Sequence, residues 1–228
     1  MRPRVVVLGA PGTNRHNDML FAFDLAGADG TYVDVLHIDE YRATIRDAQI
    51  IAIAGGFSYA DALGSGRVFA HELTRQLGDI LLEGISSGRP TLGICNGFQV
   101  LVRMGILPGN QSEKPNGGGA LQRNERGSFE CRWVTLAPAA RHCIWTAPLK
   151  ELLTCPVAHG EGRFVANDET LKTLVDEDRI AFRYVTSQGE SANGGYPSNP
   201  NGSMADIAGI CDASGVVLGM MQHPENHV

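Results

Sequence analysis

Apolar and polar positions alternate between two rhythms along this chain. Val5 to Leu8 form an unbroken apolar run, the pattern of a strand buried on both faces of a parallel sheet. Met19, Ala22, Phe23 and Ala26 then repeat at helical spacing. The same alternation predicts a second strand over Val33 to Ile38, a helix over Tyr41 to Ala48 and a third strand over Ile50 to Ala54. This βαβαβ order predicts an α/β fold with a parallel sheet and right-handed crossovers. Residues 61–87 read as helical with a break at Gly64 to Gly66, and Thr91 to Ile94 as a short buried strand followed by a helix. Beyond Leu107 the periodicity weakens into a polar, glycine-rich excursion, 108–128, of a length that is usually functional or mobile. Further strands are expected over Phe129 to Leu136, with Trp133 in the core, over Thr154 to Ala158, and over Ile180 to Val185. A short helix is expected at Leu171 to Leu174. Trp145 fits an interface or a buried position equally well. The turn cluster YPSNPNGS introduces two apolar strands around Asp212 to Gly215, a hairpin signal.

Composition narrows the reading. A chain of 228 residues, 43% hydrophobic, can bury a large core, and it is expected to be one domain over 1–228 with no internal repeat or linker. A net charge of −6 without basic runs argues against nucleic acid and anionic membrane as partners. No apolar stretch approaches the ~18 residues that a membrane span needs, and no secretory leader is recognisable. The five cysteines lack CxxC spacing, so neither a disulfide frame nor a metal site is indicated. A reducing cytoplasm is the expected location.

Candidate chemistry centres on TLGICNGFQVLV, residues 91–102. Phe98, Leu101 and Val102 place a helix directly after the strand, so Cys95 stands at a strand-to-helix corner. Gly93 and Gly97 relieve the crowding that such a corner creates. The helix N-terminus directs its free N–H groups at the sulfur and favours the reactive thiolate. A small buried core thiol is the alternative. Gly55 and Gly56, at the end of the third strand, suit either a tight turn or an oxyanion hole opposite a nucleophile. The loop GAPGTN lies at a strand end where α/β sheets bind ligands, yet it is neither GxGxxG nor a Walker A sequence. His159 and Glu161 could chelate or do acid–base work, although two groups alone make a weak metal site. His223 and Glu225, two apart on a segment expected to be extended, would lie on one side, so the imidazole could reach a thiol while the carboxylate orients it. Pro224 stiffens the segment. A surface turn is the alternative for HPE.

GICNGFQ with a distant HPE resembles the triad, or class I, glutamine amidotransferases. PGTN followed by Asp18, GGFSYADALGSG, FECRWV, AHGEGRF, NPNGS and IAGICDASGVVLGMMQHPE extend the resemblance over essentially the whole chain. Together they look like the glutaminase subunits of phosphoribosylformylglycinamidine synthase, with GGFSY and NPNGS separating these from other amidotransferases. The resemblance implies a flavodoxin-like three-layer sandwich, with a mostly parallel central sheet, helices on both faces and a small antiparallel extension. It implies Cys95 as nucleophile, His223 as proton carrier and Glu225 as its orienting carboxylate. Backbone N–H groups of Gly56 and Asn96 would form the oxyanion hole, and Gln99 would help to hold glutamine. No cofactor is implied for this chain, ATP and magnesium being used by a partner synthetase subunit, with a small bridging subunit as a further partner. The ammonia released would pass to that synthetase for conversion of formylglycinamide ribonucleotide to formylglycinamidine ribonucleotide. The chain departs from the common pattern with Ala60 in place of Gly and with Ser128 before Phe129 in place of Arg. It stops three residues after Glu225, where some relatives carry a further tail.

Overall fold

A computed structural model describes residues 1–109 and 118–227. Strands β1 (Arg4–Gly9), β2 (Asp29–Asp34), β3 (Ile50–Ile53) and β4 (Thr91–Ile94) alternate with helices α1 (His16–Leu25), α2 (Ile38–Asp47) and α3 (Arg67–Ser86). Helix α4 (Asn96–Arg103) follows β4 directly. The second half contributes β5 (Gly119–Gln122), β6 (Glu130–Pro138), β7 (Leu153–His159), β8 (Arg163–Ala166), α5 (Asp168–Asp176), β9 (Ile180–Val185), β10 (Ile207–Cys211) and β11 (Val217–Met220).

Nine strands form one sheet in the order β2-β1-β3-β4-β11-β10-β9-β6-β7. The first five run parallel to their neighbours, as the buried apolar runs require, and the last four pair antiparallel. Strands β5 and β8 pair separately as a two-stranded antiparallel sheet. Helix α3 packs against α2 and α4, while α1 packs against a 3₁₀ turn at Pro224–Asn226. One continuous core runs from Val5 to Met221. Among the described residues no helix is long and apolar enough to cross a membrane.

Four expectations are corrected. The second strand is Asp29–Asp34, and Val35 to His37 form a 3₁₀ turn leading into α2. This is the parallel sheet's outer strand, half exposed and so weakly apolar, whereas the stronger apolar signal comes from Val35 in the 3₁₀ turn and Ile38 at the start of α2, both buried in the core. Trp133 is 57% exposed, because it shares the β6 face of exposed Cys131 and meets the His227 ring edge-on at 5.1 Å. The HPE segment is a 3₁₀ turn rather than extended chain. The excursion contains β5, while the expectation of a mobile loop at 110–117 lies outside the described residues. Trp145 is half-buried against the core and donates from Nε1 to the Val216 carbonyl at 2.9 Å.

Candidate active site

Parallel registration brings the chemistry together. Ile94 at the end of β4 pairs with Met220 at the end of β11, and the Cys95 N–H donates to the Met220 carbonyl at 2.8 Å. Cys95 and His223 therefore emerge from neighbouring strand ends, at the sheet edge where α/β proteins place their ligands.

Cys95 adopts φ 52°, ψ −107°, outside every regular region, so the chain turns sharply from β4 into α4. The corner closes only because its flanking residues lack side chains. A Cβ on Gly97 would lie 2.0 Å from the Ile53 carbonyl oxygen, and one on Gly93 would lie 2.6 Å from that of Gly97. The thiol is buried, 5% exposed, and donates to the Ala158 carbonyl at 3.9 Å.

His223 and Glu225 are also buried, with Nδ1 and Oε1 2.7 Å apart across Pro224. A tight turn achieves what an extended segment was expected to do. Burial alone would lower the His223 pKa, but the charge and hydrogen bond of Cys95, together with Glu225, outweigh it and raise the value to about 10. The turn is tied down by Asn226, whose Nδ2 donates to Asp18 on α1 at 2.9 Å. Asp18, part of the resemblance, thus braces the segment that carries His223 and Glu225.

Gly55 and Gly56 face this cluster. A Cβ on Gly55 would come within 2.8 Å of His223 Cε1 and 3.4 Å of the Cys95 Cβ. Gly56, at φ 143°, is bridged to Thr13, and Gly12 lies so close that its Cβ would meet the Phe57 carbonyl at 2.2 Å. The GAPGTN loop is therefore the buttress of the Gly56 turn. Among the described residues, neither the Gly56 nor the Asn96 N–H has a protein acceptor. Both are free to meet a developing oxyanion.

Gln99 has both ends of its amide committed to protein. Its Oε1 accepts from Asn96 Nδ2 at 2.8 Å, and its Nε2 donates to the Glu161 carbonyl at 2.7 Å. His159 is buried, and its Nδ1–H donates to Asn124 Oδ1 at 3.1 Å. Burial and the nearby His223 lower its pKa to about 4, so it is neutral at physiological pH. Among the described residues no three His, Cys, Asp or Glu side chains converge as metal ligands.

A cavity of about 350 Å³ opens beside the cluster, lined by Phe57, Asp61, Arg123, Phe129, Gly160 and Glu161 among others. Asp61 has a buried Oδ1 without a partner, and burial raises its pKa. Arg123 has no ion-pair partner among the described residues. Reading the sequence missed both. Asp61 lay inside the GGFSYAD motif, and its only local signal is the run of left-handed residues Tyr59, Ala60 and Asp61, at φ 52°, 54° and 53°.

The fold recurs in known proteins. The family model for the CobB/CobQ-like glutamine amidotransferase domain matches residues 2–228. The phosphoribosylformylglycinamidine synthase subunit PurQ of Treponema denticola is 47% identical over 100% of this chain and 89% of its own length. That of Methanococcus maripaludis is 41% identical over 98% and 82%. The solved structure of PurLQS from Thermotoga maritima superposes with a TM-score of 0.74 at 33% identity, covering 99% of this chain and 89% of that one. The glutaminase domain of Trypanosoma brucei CTPS, at 15% identity and a TM-score of 0.52, covering 98% of this chain and 86% of its own, shares the fold. Sequence and structure agree that the chain belongs to the CobB/CobQ-like glutamine amidotransferases and, within them, to the PurQ glutaminase subunits of phosphoribosylformylglycinamidine synthase, an enzyme of purine biosynthesis.

Proposed function

We propose that Cys95, His223 and Glu225 hydrolyse glutamine and deliver the ammonia to an ATP-using synthetase subunit. The observation that carries this reading is the buried 2.7 Å His223–Glu225 pair set against a thiol on a strained elbow. The Cys95 sulfur attacks the side-chain amide carbon, and the carbonyl oxygen takes up the electron pair facing the Gly56 and Asn96 N–H groups. His223 gives the thiol proton to the amide nitrogen as the C–N bond breaks, which frees ammonia and leaves a γ-glutamyl thioester. Water, deprotonated by His223, then cleaves the thioester to glutamate and restores the thiol.

The cavity beside the triad suits the other end of the substrate. Arg123 offers a cation to the α-carboxylate, while Asp61 and Glu161 offer negative charge to the α-ammonium group. Gln99 contributes through the Glu161 backbone that it holds. No cofactor is assigned to this chain; ATP and magnesium belong to the synthetase, a small bridging subunit completes the assembly, and the setting is the cytoplasm. The relative from Thermotoga maritima is described as an assembly, PurLQS, in line with such partners.

The test is glutamine hydrolysis by the parent and by Cys95→Ala, with the cognate synthetase, ATP and formylglycinamide ribonucleotide present. Activity that vanishes in Cys95→Ala is expected. A variant that keeps its rate would overturn the elbow as the nucleophile's seat, and a parent that never cleaves glutamine would leave a scaffold of the same fold.

A further inference from the structure

The motif NPNGS reads in sequence as a turn, and the structure buries it. Asn199, Asn201 and Ser203 are 2%, 0% and 4% exposed. Polar groups are buried at a cost unless they are bonded, so their partners disclose what they are for. Asn199 is inward-looking: its Oδ1 accepts from the Gly202 and Ser203 N–H groups, and its Nδ2 donates to the Ser203 carbonyl and to Asp206. It builds the turn.

Asn201 looks outward. Its Oδ1 is fixed by the Ser203 N–H at 3.0 Å and hydroxyl at 2.7 Å, which aims Nδ2 away from the turn. That Nδ2 donates to the Gly162 carbonyl at 2.8 Å and to the Tyr184 hydroxyl oxygen at 3.1 Å. The same hydroxyl accepts from Gln222 Nε2 at 2.6 Å, and Gln222 directly precedes His223. Gly162 directly follows Glu161, whose carbonyl is held by Gln99 on the nucleophile's helix. Asn201 thus closes a triangle between the cysteine helix, the Glu161 wall and the segment that carries the histidine.

We propose that Asn201 is a positioning residue for glutamine hydrolysis, holding the Glu161 wall and His223 at a fixed separation. This rests on the assignment of Cys95 and His223 to catalysis. The side chain touches neither substrate nor thiol; it acts through Gly162 on one side and through Tyr184 and Gln222 on the other.

Asn201→Leu tests the idea, because it keeps about the same size and removes the Nδ2 donor without bringing a charge near His223, the Ser203 bonds being lost with it. Measured in the complex with the synthetase, KM for glutamine should rise and kcat should fall, each by about tenfold, in line with the rate sensitivity to small misplacements. The pH profile of Cys95 alkylation by iodoacetamide should also move, since that profile reports the Cys95–His223 pair. A purely structural role would lower the melting temperature and the active fraction but leave KM and that pH profile unchanged, and this result would overturn the proposal. Tyr184→Phe cuts only the histidine arm, so it should shift the alkylation profile with little change in KM, and it serves alone if Asn201→Leu does not fold. An unaltered profile in Tyr184→Phe counts equally against the proposal. If Cys95→Ala is inactive while both variants behave as the parent, this inference fails and the catalytic assignment stands.

Discussion

Gly55→Ala isolates catalysis from folding. The backbone at Gly55 lies outside the left-handed region, so alanine is conformationally acceptable there. Its methyl group would sit 2.8 Å from His223 Cε1, against an ordinary carbon–carbon contact of about 3.5–4.0 Å. The imidazole must therefore retreat by roughly 0.7 Å or more, pulling against the 2.7 Å bond that Glu225 makes to its other side. Displacements near 1 Å typically cost about a hundredfold in rate, so kcat for glutamine hydrolysis should fall between about ten- and a hundredfold. Overpacking a buried site costs about 1–3 kcal/mol, so the protein stays folded. Steady-state hydrolysis measured beside a thermal melt separates the two effects. If Gly55→Ala kept kcat within about twofold of the parent, the placement of His223 against the Gly55 turn would be wrong. Gly56 cannot serve this purpose, because its positive φ and backbone contacts of 2.7–2.8 Å make any side chain there a folding defect.

Ala60→Gly should stabilise the protein by about 1 kcal/mol in urea unfolding, because Ala60 sits at φ 54°, where an L side chain is strained; equal or lower stability would refute the strain. Stability should also show two pH limbs in equilibrium unfolding. His223, with its pKa raised to about 10, contributes stability that is complete below its unfolded value near 6.5 and is lost as pH rises towards 10. His159, with its pKa lowered to about 4, has the opposite sign: nothing is lost above about 6.5, and stability falls as pH drops from there towards 4. His159→Gln should flatten the acid limb alone, and an acid limb that is unchanged in this variant would contradict the burial of a neutral imidazole.

The sequence made the Cys95 corner legible because two independent patterns meet there. An apolar run of strand length stops at Cys95, and a helical repeat begins at once, with glycine at each crowded position. HPE was legible as a pair for the same reason of spacing, although the structure brings the two side chains together by a turn. Other features left no such trace. The outer strand β2 is half exposed, so its apolar signal is weaker than that of the turn after it. Trp133 suggests a core position by residue type, but the strand's alternation places it beside exposed Cys131. Asp61 and Arg123 come together only through the tertiary fold. NPNGS was legible as a turn but not as a buried one, because periodicity reports where apolar side chains go and is silent on polar groups that bury themselves by pairing.

That silence matters most beyond the sheet's end. Up to Ile94 and Met220 the strand register fixes position, since each backbone group is bonded to the neighbouring strand. The residues that would do chemistry lie just past it, where the ladder stops and regular secondary structure no longer locates anything. In its place the loop 159–162 is held by the amide side chains of Asn124, Asn201 and Gln99. Asn124 bonds the His159 carbonyl and the Gly162 N–H, Asn201 the Gly162 carbonyl, and Gln99 the Glu161 carbonyl. An amide offers a donor and an acceptor without charge, so it can substitute for a strand neighbour at no cost of burying an ion. A charged side chain in the same place would alter the field at His223, whose protonation the proposed reaction depends on. The choice of asparagine and glutamine at these positions follows from that pairing of needs: fixed geometry around the thiol, and electrostatics left to Cys95, His223 and Glu225.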